Sequence, residues 1–454
     1  MHRCSAVPVI VMLVSSALAG DNAVRASYRA DLASAIDTHV QNHLPNWNDY
    51  FVDLHRSPEL SLNEKETSRK TAERLEKAGY KVTRGIGGYG VVGLLENGPG
   101  PTILIRGDMD ALPIVEETGL PYASKVTAGT PDGKTVGIMH ACGHDMHQTC
   151  LVGTAETLMQ LKDRWSGTLL IVAQPAEEIG MGALMMIKAG IFEKFPKPDF
   201  AIALHTTGLI PAGSLSFTSG WALANVDSVD ITIFGRGGHG SRPHETIDPI
   251  VTAAQVITAL QTVVSRRRDP IEPGVVTVGS IHAGSKHNII PDEAKLQITV
   301  RSYAEANRKL LLDSIRDITT HTCRAMGCVK DPEIVIREEE FTPATYNDPE
   351  LTAAAVEVLK QVVGPERISP IDPQMGGEDF GRFPKTAGCP GFIFWLGGAR
   401  MDVYEASKRP DGPRLAPAHS SKFNLDPQPT ITTGVRGLTS LALSLLGPPG
   451  KSGD

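Results

Sequence analysis

Little in this 454-residue chain points to a cross-linked, nucleic-acid-binding or membrane-spanning protein. Cysteine is scarce: Cys4, Cys142, Cys150, Cys323, Cys328 and Cys389 are spread over the whole length. That is no disulfide scaffold, and a chain of this size buries enough core to do without one. Positive charge is not in excess either. Lys and Arg number 44 against 51 Asp and Glu, a formal charge of −7, so the basic footprint of nucleic-acid binding is missing. No repeat or coiled-coil heptad recurs, and the one long apolar run lies at the extreme N-terminus. What remains, 41% hydrophobic and 21% charged, has the make-up of a globular enzyme or a large binding protein.

The N-terminal run extends from Ala6 to Leu18 behind Met1-His2-Arg3, and Ala17-Leu18-Ala19 supplies a small-x-small cleavage pattern. This predicts a signal peptide over residues 1–19, export to the periplasm or beyond, and no stable membrane association after cleavage. Five cysteines then remain, an odd number that invites a chemical explanation. Cys323 and Cys328 either pair or stay as two buried thiols.

Downstream, Ser61-Leu62-Asn63-Glu64 reads as a capping box opening a charged helix that Gly79 ends. Apolar runs at Val91–Leu95, Thr102–Ile105, Thr168–Ala173 and Phe200–Leu204 read as strands buried on both faces, with helices at Gln148–Lys162 and Gly182–Ala189 between them. The fold class is α/β, a central mixed sheet flanked by helices. Gly85-Ile86-Gly87-Gly88-Tyr89-Gly90 is not a dinucleotide loop, because a strand follows it where a helix N-terminus is needed. After Trp221 the texture changes. Strand Val226–Phe234, helix Ile247–Val264, strands Val275–Ile281 and Lys295–Val300, helix Ala304–Ala325 and strand Glu333–Arg337 give the order βαββαβ of a ferredoxin-like unit. The expected organisation is therefore a catalytic domain in two parts, 20–221 and 341–446, around an inserted domain at 222–340. The second part ends in a helix over Thr430–Leu446, and a Gly/Pro-rich tail, 447–454, is expected to be disordered.

Chemistry concentrates in a few segments. His140-Ala141-Cys142-Gly143-His144-Asp145-Met146-His147 packs three imidazoles, a thiol and a carboxylate into eight residues. Imidazole and thiolate suit borderline divalent metals, and Cys142 and His144 can converge on one ion from a loop. Glu177 and Glu178 follow a buried strand, where the active residues of α/β sheets gather. Adjacent side chains point apart in extended chain, so one glutamate is expected to bind metal and the other to act as general base. His205 ends the strand Phe200–Leu204, and His419 lies in a loop.

Together these segments resemble the M20 metallopeptidase family, in its branch of aminoacylases, hippurate hydrolases and indole-acetyl-amino-acid hydrolases. The resemblance runs through His55–Ser61, Arg106–Pro113, His140–His147, Gln174–Glu178, Gly237–His244, His287–Pro291, Gly376–Phe380 and the His419 loop. It implies two divalent metal ions, zinc or manganese first and cobalt or nickel next, held by Cys142, His144, Glu178, His205 and His419. Glu177 becomes the general base, Asp108 orients a ligand, and Arg106 stands where many family peptidases have a metal-binding histidine. His239 resembles the oxyanion-stabilising histidine. Asn288 and Arg301, and less clearly His244, look like substrate-binding positions. The inserted domain is a candidate lid and homodimer surface. The implied activity is hydrolysis of small N-acyl amino acids, with a dipeptidase or carboxypeptidase as the alternative; a non-catalytic exported binding protein would have lost a ligand or Glu177.

Overall fold

In a computed structural model, residues 26–129, 133 and 135–449 are described. The leader reading of residues 1–19 lies outside them. Among the described residues no helix is long and apolar enough to cross a membrane.

The larger half, expected to be catalytic, is built on eight strands in the order Lys81–Arg84, Val91–Asn97, Gly167–Gln174, Thr102–Asp108, Phe200–Pro211, Gly391–Ala399, Leu215–Phe217 and Ile368–Pro370. Thr102–Asp108 runs parallel to both Gly167–Gln174 and Phe200–Pro211, and Gly391–Ala399 extends the parallel group. Every residue of Thr102–Asp108 and of Gly391–Ala399 is buried. These strands lie covered on both faces, hence their unbroken apolar runs. One face is covered by the helices Ala33–Arg56, His144–Gln160, Pro349–Val363 and Pro427–Leu445, and the other by Gly182–Lys188 and Arg382–Ala387.

Several sequence expectations are corrected. Helix His144–Gln160 starts four residues before Gln148, with Gly143 at φ 85 as the residue before its first turn. The polar cluster that reads as loop is thus the helix N-terminus, and its φ is one that glycine adopts without strain. The strand from Phe200 does not end at Leu204 but continues to Pro211, in register with Gly391–Ala399. Burial of both faces ends near His205, so the apolar run stops while the hydrogen-bonded ladder does not. The capping box is absent too. Ser61 donates its hydroxyl to Asp110 at 2.6 Å, and Glu59 accepts the first amides of helix Lys65–Ala78, from Glu66 at 3.0 Å and Thr67 at 2.8 Å. The tail is pinned at its start: Gly447 and Ser166 exchange backbone hydrogen bonds, and the Ser166 hydroxyl reaches the Pro448 carbonyl. Of the two outcomes open for Cys323 and Cys328 the unpaired one holds: both are free thiols, Cys323 buried and Cys328 half-buried.

Residues 225–336 form a separate four-stranded antiparallel sheet, ordered Gly274–Ala283, Glu293–Ser302, Asn225–Phe234, Glu333–Ile336. Helices Pro249–Thr262 and Glu305–Ala325 cover one face around a core of Val229, Ile231, Val256, Leu260, Leu296 and Leu311. The first helix starts at Pro249 rather than Ile247 because Asp248 caps it, accepting the Ile250 amide at 2.8 Å. Strand Glu293–Ser302 alternates in burial, which sets Arg301 on the uncovered face with Gln297 and Thr299. The unit joins the catalytic half by two adjacent strands, where Val226 and Thr342 exchange backbone hydrogen bonds.

The helices of the main layer approach closely through glycine. A Cβ on Gly434 would lie 2.4 Å from Cys150 Sγ and 2.8 Å from a Leu396 methyl, both fully buried. Gly434→Ala should therefore lose about 1–3 kcal/mol, against the gain of up to ~1 kcal/mol that alanine brings to an exposed helix, as read by urea unfolding.

Candidate metal centre

The C-terminal ends of the parallel strands meet the N-terminus of helix His144–Gln160. There Cys142 Sγ lies 3.5 Å from His205 Nε2. His205 donates its Nδ1 proton to the Thr206 carbonyl at 2.8 Å, leaving the Nε2 lone pair toward the thiol. His144 Nε2 has Asp108, Glu177 and Glu178 carboxylate oxygens each at 3.8 Å, and His419 Nε2 lies 3.3 Å from Glu178 Oε2. Donor atoms of three sets, Cys142/His144/His205, Cys142/Glu178/His419 and His144/Glu177/Glu178, lie within 4.8 Å of one another. All five expected ligands and Glu177 are brought together.

Two buried atoms have no partner here: His144 Nε2 and Glu178 Oε1. Unpaired buried polar atoms are costly, and both aim into the donor cluster. Charge tells the same story. Burial and then Glu178 push the Cys142 thiol well up; burial, then Glu378 and Glu178, push Glu177 well up. Burial pushes Glu178 to about 7. So many acids cannot ionise side by side without a counter-charge, and a divalent cation among them reverses each of these shifts. The residues fit a metal.

A surrounding layer holds the donors in place. His144 donates Nδ1–H to Asp110 at 3.2 Å, and Asp110 also accepts the Glu178 amide at 3.0 Å. Asp108, expected to orient a ligand, instead accepts from His147 Nδ1 at 2.6 Å. Asp110 is the orienting carboxylate that sequence reasoning missed. Its signal was present: two residues beyond Asp108 in extended chain, it shares the same face. His147 is not free to ligate, since its Nε2 accepts the Thr206 amide at 2.8 Å. Arg106 is fully buried and bonds Gln174, Asp108, Glu378 and Asp379 at 2.5–3.2 Å, which makes it a structural cation. Burial works against ionising Asp108, yet Arg106, His144 and His147 hold it well below the usual carboxylate range.

A cavity of about 500 Å³ opens over the cluster, and Arg301 of the inserted unit lines it with Cys142, Glu177, Glu178, His205 and His419. His239, Asn288 and His244 do not. His239 is exposed on the two-residue strand Gly238–His239 paired with Ile289–Ile290; Asn288 sits beside it, accepting the Gly240 amide through its backbone; His244 is exposed on the next turn. The motifs that carry them form a surface ribbon of the inserted unit, so their loop position in sequence did not translate into a place at this cavity.

Residues 104–411 match Peptidase family M20/M25/M40. The chain belongs to that family. It is a metal-dependent hydrolase of linear amides. Similar chains include thermostable carboxypeptidase 2 of Saccharolobus solfataricus, 37% identical over 82% of this chain and 88% of that one. Hippurate hydrolase of Campylobacter jejuni is 39% identical over 74% of this chain and 84% of its own length. Among solved structures, a dinuclear metal-binding peptidase of the M20 family from Bacillus subtilis superposes with a TM-score of 0.69 at 29% identity, covering 90% of this chain and 98% of that one.

Behind the M20 centre, His55 is sandwiched between carboxylates, Asp145 at 2.7 Å and Glu116 at 3.2 Å. Burial alone would lower its pKa, but the two acids prevail and raise it to about 9. Because this exceeds the ordinary 6.5, the stabilisation is whole below pH 6.5 and is lost as pH rises through 9. Unfolding free energy should fall by about 3 kcal/mol across that range from this group. His55→Gln should flatten the slope in urea titrations run at each pH; an unchanged slope would refute the assignment.

Proposed function

We propose that the chain hydrolyses N-acyl amino acids, releasing a carboxylic acid and an amino acid. The observation that carries this reading is one cavity that joins four of the five donors, Cys142, Glu178, His205 and His419, with Glu177 and Arg301. Arg301 gives one N–H to Thr299 at 3.0 Å and makes no ion pair among the described residues, so its guanidinium is free for a carboxylate. Relatives support the substrate class by their names: hippurate hydrolase, N-acetylcysteine deacetylase of Bacillus subtilis and IAA-amino acid hydrolase of Arabidopsis thaliana.

Cys142, His144, Glu178, His205 and His419 would hold two divalent ions, with zinc or manganese favoured by the mix of thiolate, imidazole and carboxylate. When bound, such ions acidify the attacking water and polarise the amide carbonyl. Arg301 anchors the amino acid carboxylate and turns the amide toward Glu177. Glu177 accepts the proton of the attacking water and returns it to the departing amine nitrogen, a role open to a carboxylate that lines the cavity beside the donors. Asp110 keeps the His144 tautomer fixed throughout. The oxyanion role expected of His239 has no support in its placement. The leader-like first 19 residues favour export.

Carboxypeptidase action is the second reading, favoured by the identity to the Saccharolobus solfataricus enzyme. Metal-reconstituted protein tried on hippurate, N-acetylcysteine, indole-acetyl-amino acids and N-blocked dipeptides separates the two, and silence on all of them removes both. Glu177→Gln should keep its metal and lose about 10²–10⁴-fold in kcat; near-normal turnover at full occupancy would disprove the base. Arg301→Leu should raise KM about 10–100-fold for the acids and leave the matching amides unaffected.

A further inference from the structure

Among the described residues, three that are not glycine have positive φ: Leu62 at 68°, Ala176 at 52° and His419 at 66°. His419 is a ligand, Ala176 directly precedes Glu177, and Leu62 lies in the turn that delivers Glu64. Strained backbone of this kind persists only where its surroundings hold it, and it collects at functional sites. What holds Ala176 is visible. Glu64 is fully buried, and its Oε1 accepts the Ala176 amide at 2.7 Å across 112 residues of sequence. Its other oxygen has no partner.

Glu64 occupies the residue before helix Lys65–Ala78 but makes no side-chain cap to it. The cap comes from Glu59 instead. A carboxylate that leaves its own helix uncapped to reach a turn at the metal centre breaks a local rule for a purpose elsewhere. Past Ala176 the turn is fixed twice more: the Ala176 carbonyl accepts from Gly182 at 3.0 Å, and Asp110 accepts the Glu178 amide at 3.0 Å. Two buried carboxylates therefore grip the amides on either side of Glu177.

We propose that Glu64 is a positioning residue: its buried carboxylate latches the left-handed turn at Ala176 and so sets the directions in which Glu177 and Glu178 leave strand Gly167–Gln174. This rests on the reading of Glu177 as base and Glu178 as ligand. The latch is needed because alanine, unlike glycine, does not adopt that φ unaided. Glu64→Gln keeps an acceptor for the Ala176 amide, whereas Glu64→Leu removes it.

The full chain is titrated with Mn²⁺ or Zn²⁺ by calorimetry, amide exchange is followed over residues 174–182, and kcat and KM are read on hippurate. Glu64→Leu should bind metal about 10–100-fold more weakly, as losses of ligand-supporting groups do. It should speed exchange in that segment and lower kcat with KM within about twofold. Glu64→Gln should stay within about threefold of the parent, and the Glu64→Leu deficit should shrink at least about threefold in the Ala176→Gly background. A Glu64→Leu protein of lower stability but unchanged metal affinity has lost only packing, and that overturns the proposal, as does an equal deficit in both backgrounds. If Glu64→Leu does not fold, Ala176→Val and Ala176→Asn decide: similar in size, they differ in tolerance of the left-handed region. Valine should weaken metal binding at least about tenfold more than asparagine, and equal effects refute the latch. Calorimetry and exchange use no substrate, so a latch that works in a protein inert toward every acyl amino acid overturns the substrate reading alone.

Discussion

A single buried guanidinium ties the catalytic half together. Arg106 leaves the middle of the sheet and bonds its neighbour strand through Gln174, its own strand through Asp108, and the far end of the chain through Glu378 and Asp379. The last two contacts span more than 270 residues and rejoin the halves that the inserted unit separates. Removing one partner from such a buried network costs about 3–5 kcal/mol, because the others are left charged and dry. Arg106 also keeps Asp108 ionised, which fixes His147, which in turn fixes Thr206 beside His205. Arg106 is thus a cation of the framework, and the donor cluster hangs from it.

That cluster is an anion-rich pocket, walled by helices and the sheet and open to a cavity on its remaining side. The protein has placed more acid there than its own cations neutralise, with His144 enclosed by carboxylates and the thiol of Cys142 against Glu178. Such a pocket is poorly stable alone and strongly drawn to a divalent cation. The acidic residues that ring it do not all serve as ligands; Asp108, Asp110, Glu378 and Asp379 orient and balance the ones that do.

Much of this was legible in the sequence, and the reasons for the rest are physical. Buried parallel strands announce themselves as apolar runs, and the His140–His147 cluster is dense enough to be read directly. The donors gather at one end of the parallel strands and at the N-terminus of helix His144–Gln160, although of them only Glu178 comes shortly after a parallel strand's end. The start of helix His144–Gln160 was hidden because polar residues facing a metal pocket look like solvated loop. The strand through His205 was cut short because its ladder outlasts its apolar run. Asp110 acts through hydrogen bonds to His144 and Glu178, 34 and 68 positions away, and Glu64 through one to Ala176, 112 positions away; no periodicity records such contacts. His239 is the converse case: its local motif is strong, yet the motif does not record that its ribbon lies exposed on the inserted unit, away from this cavity.

The two-strand neck at Val226 and Thr342 has an evolutionary side. Because the chain leaves and re-joins the catalytic half through neighbouring strands, residues 225–340 form a cassette whose two ends already touch, and a short turn could close the gap without disturbing the main sheet. The clustered donor residues all belong to the host half, whereas Arg301, which lines the same cavity, belongs to the cassette. Drift in the inserted unit can therefore reshape one wall of the cavity while the donor cluster stays as it is. The donor cluster and that wall are inherited on separate stretches of one gene product.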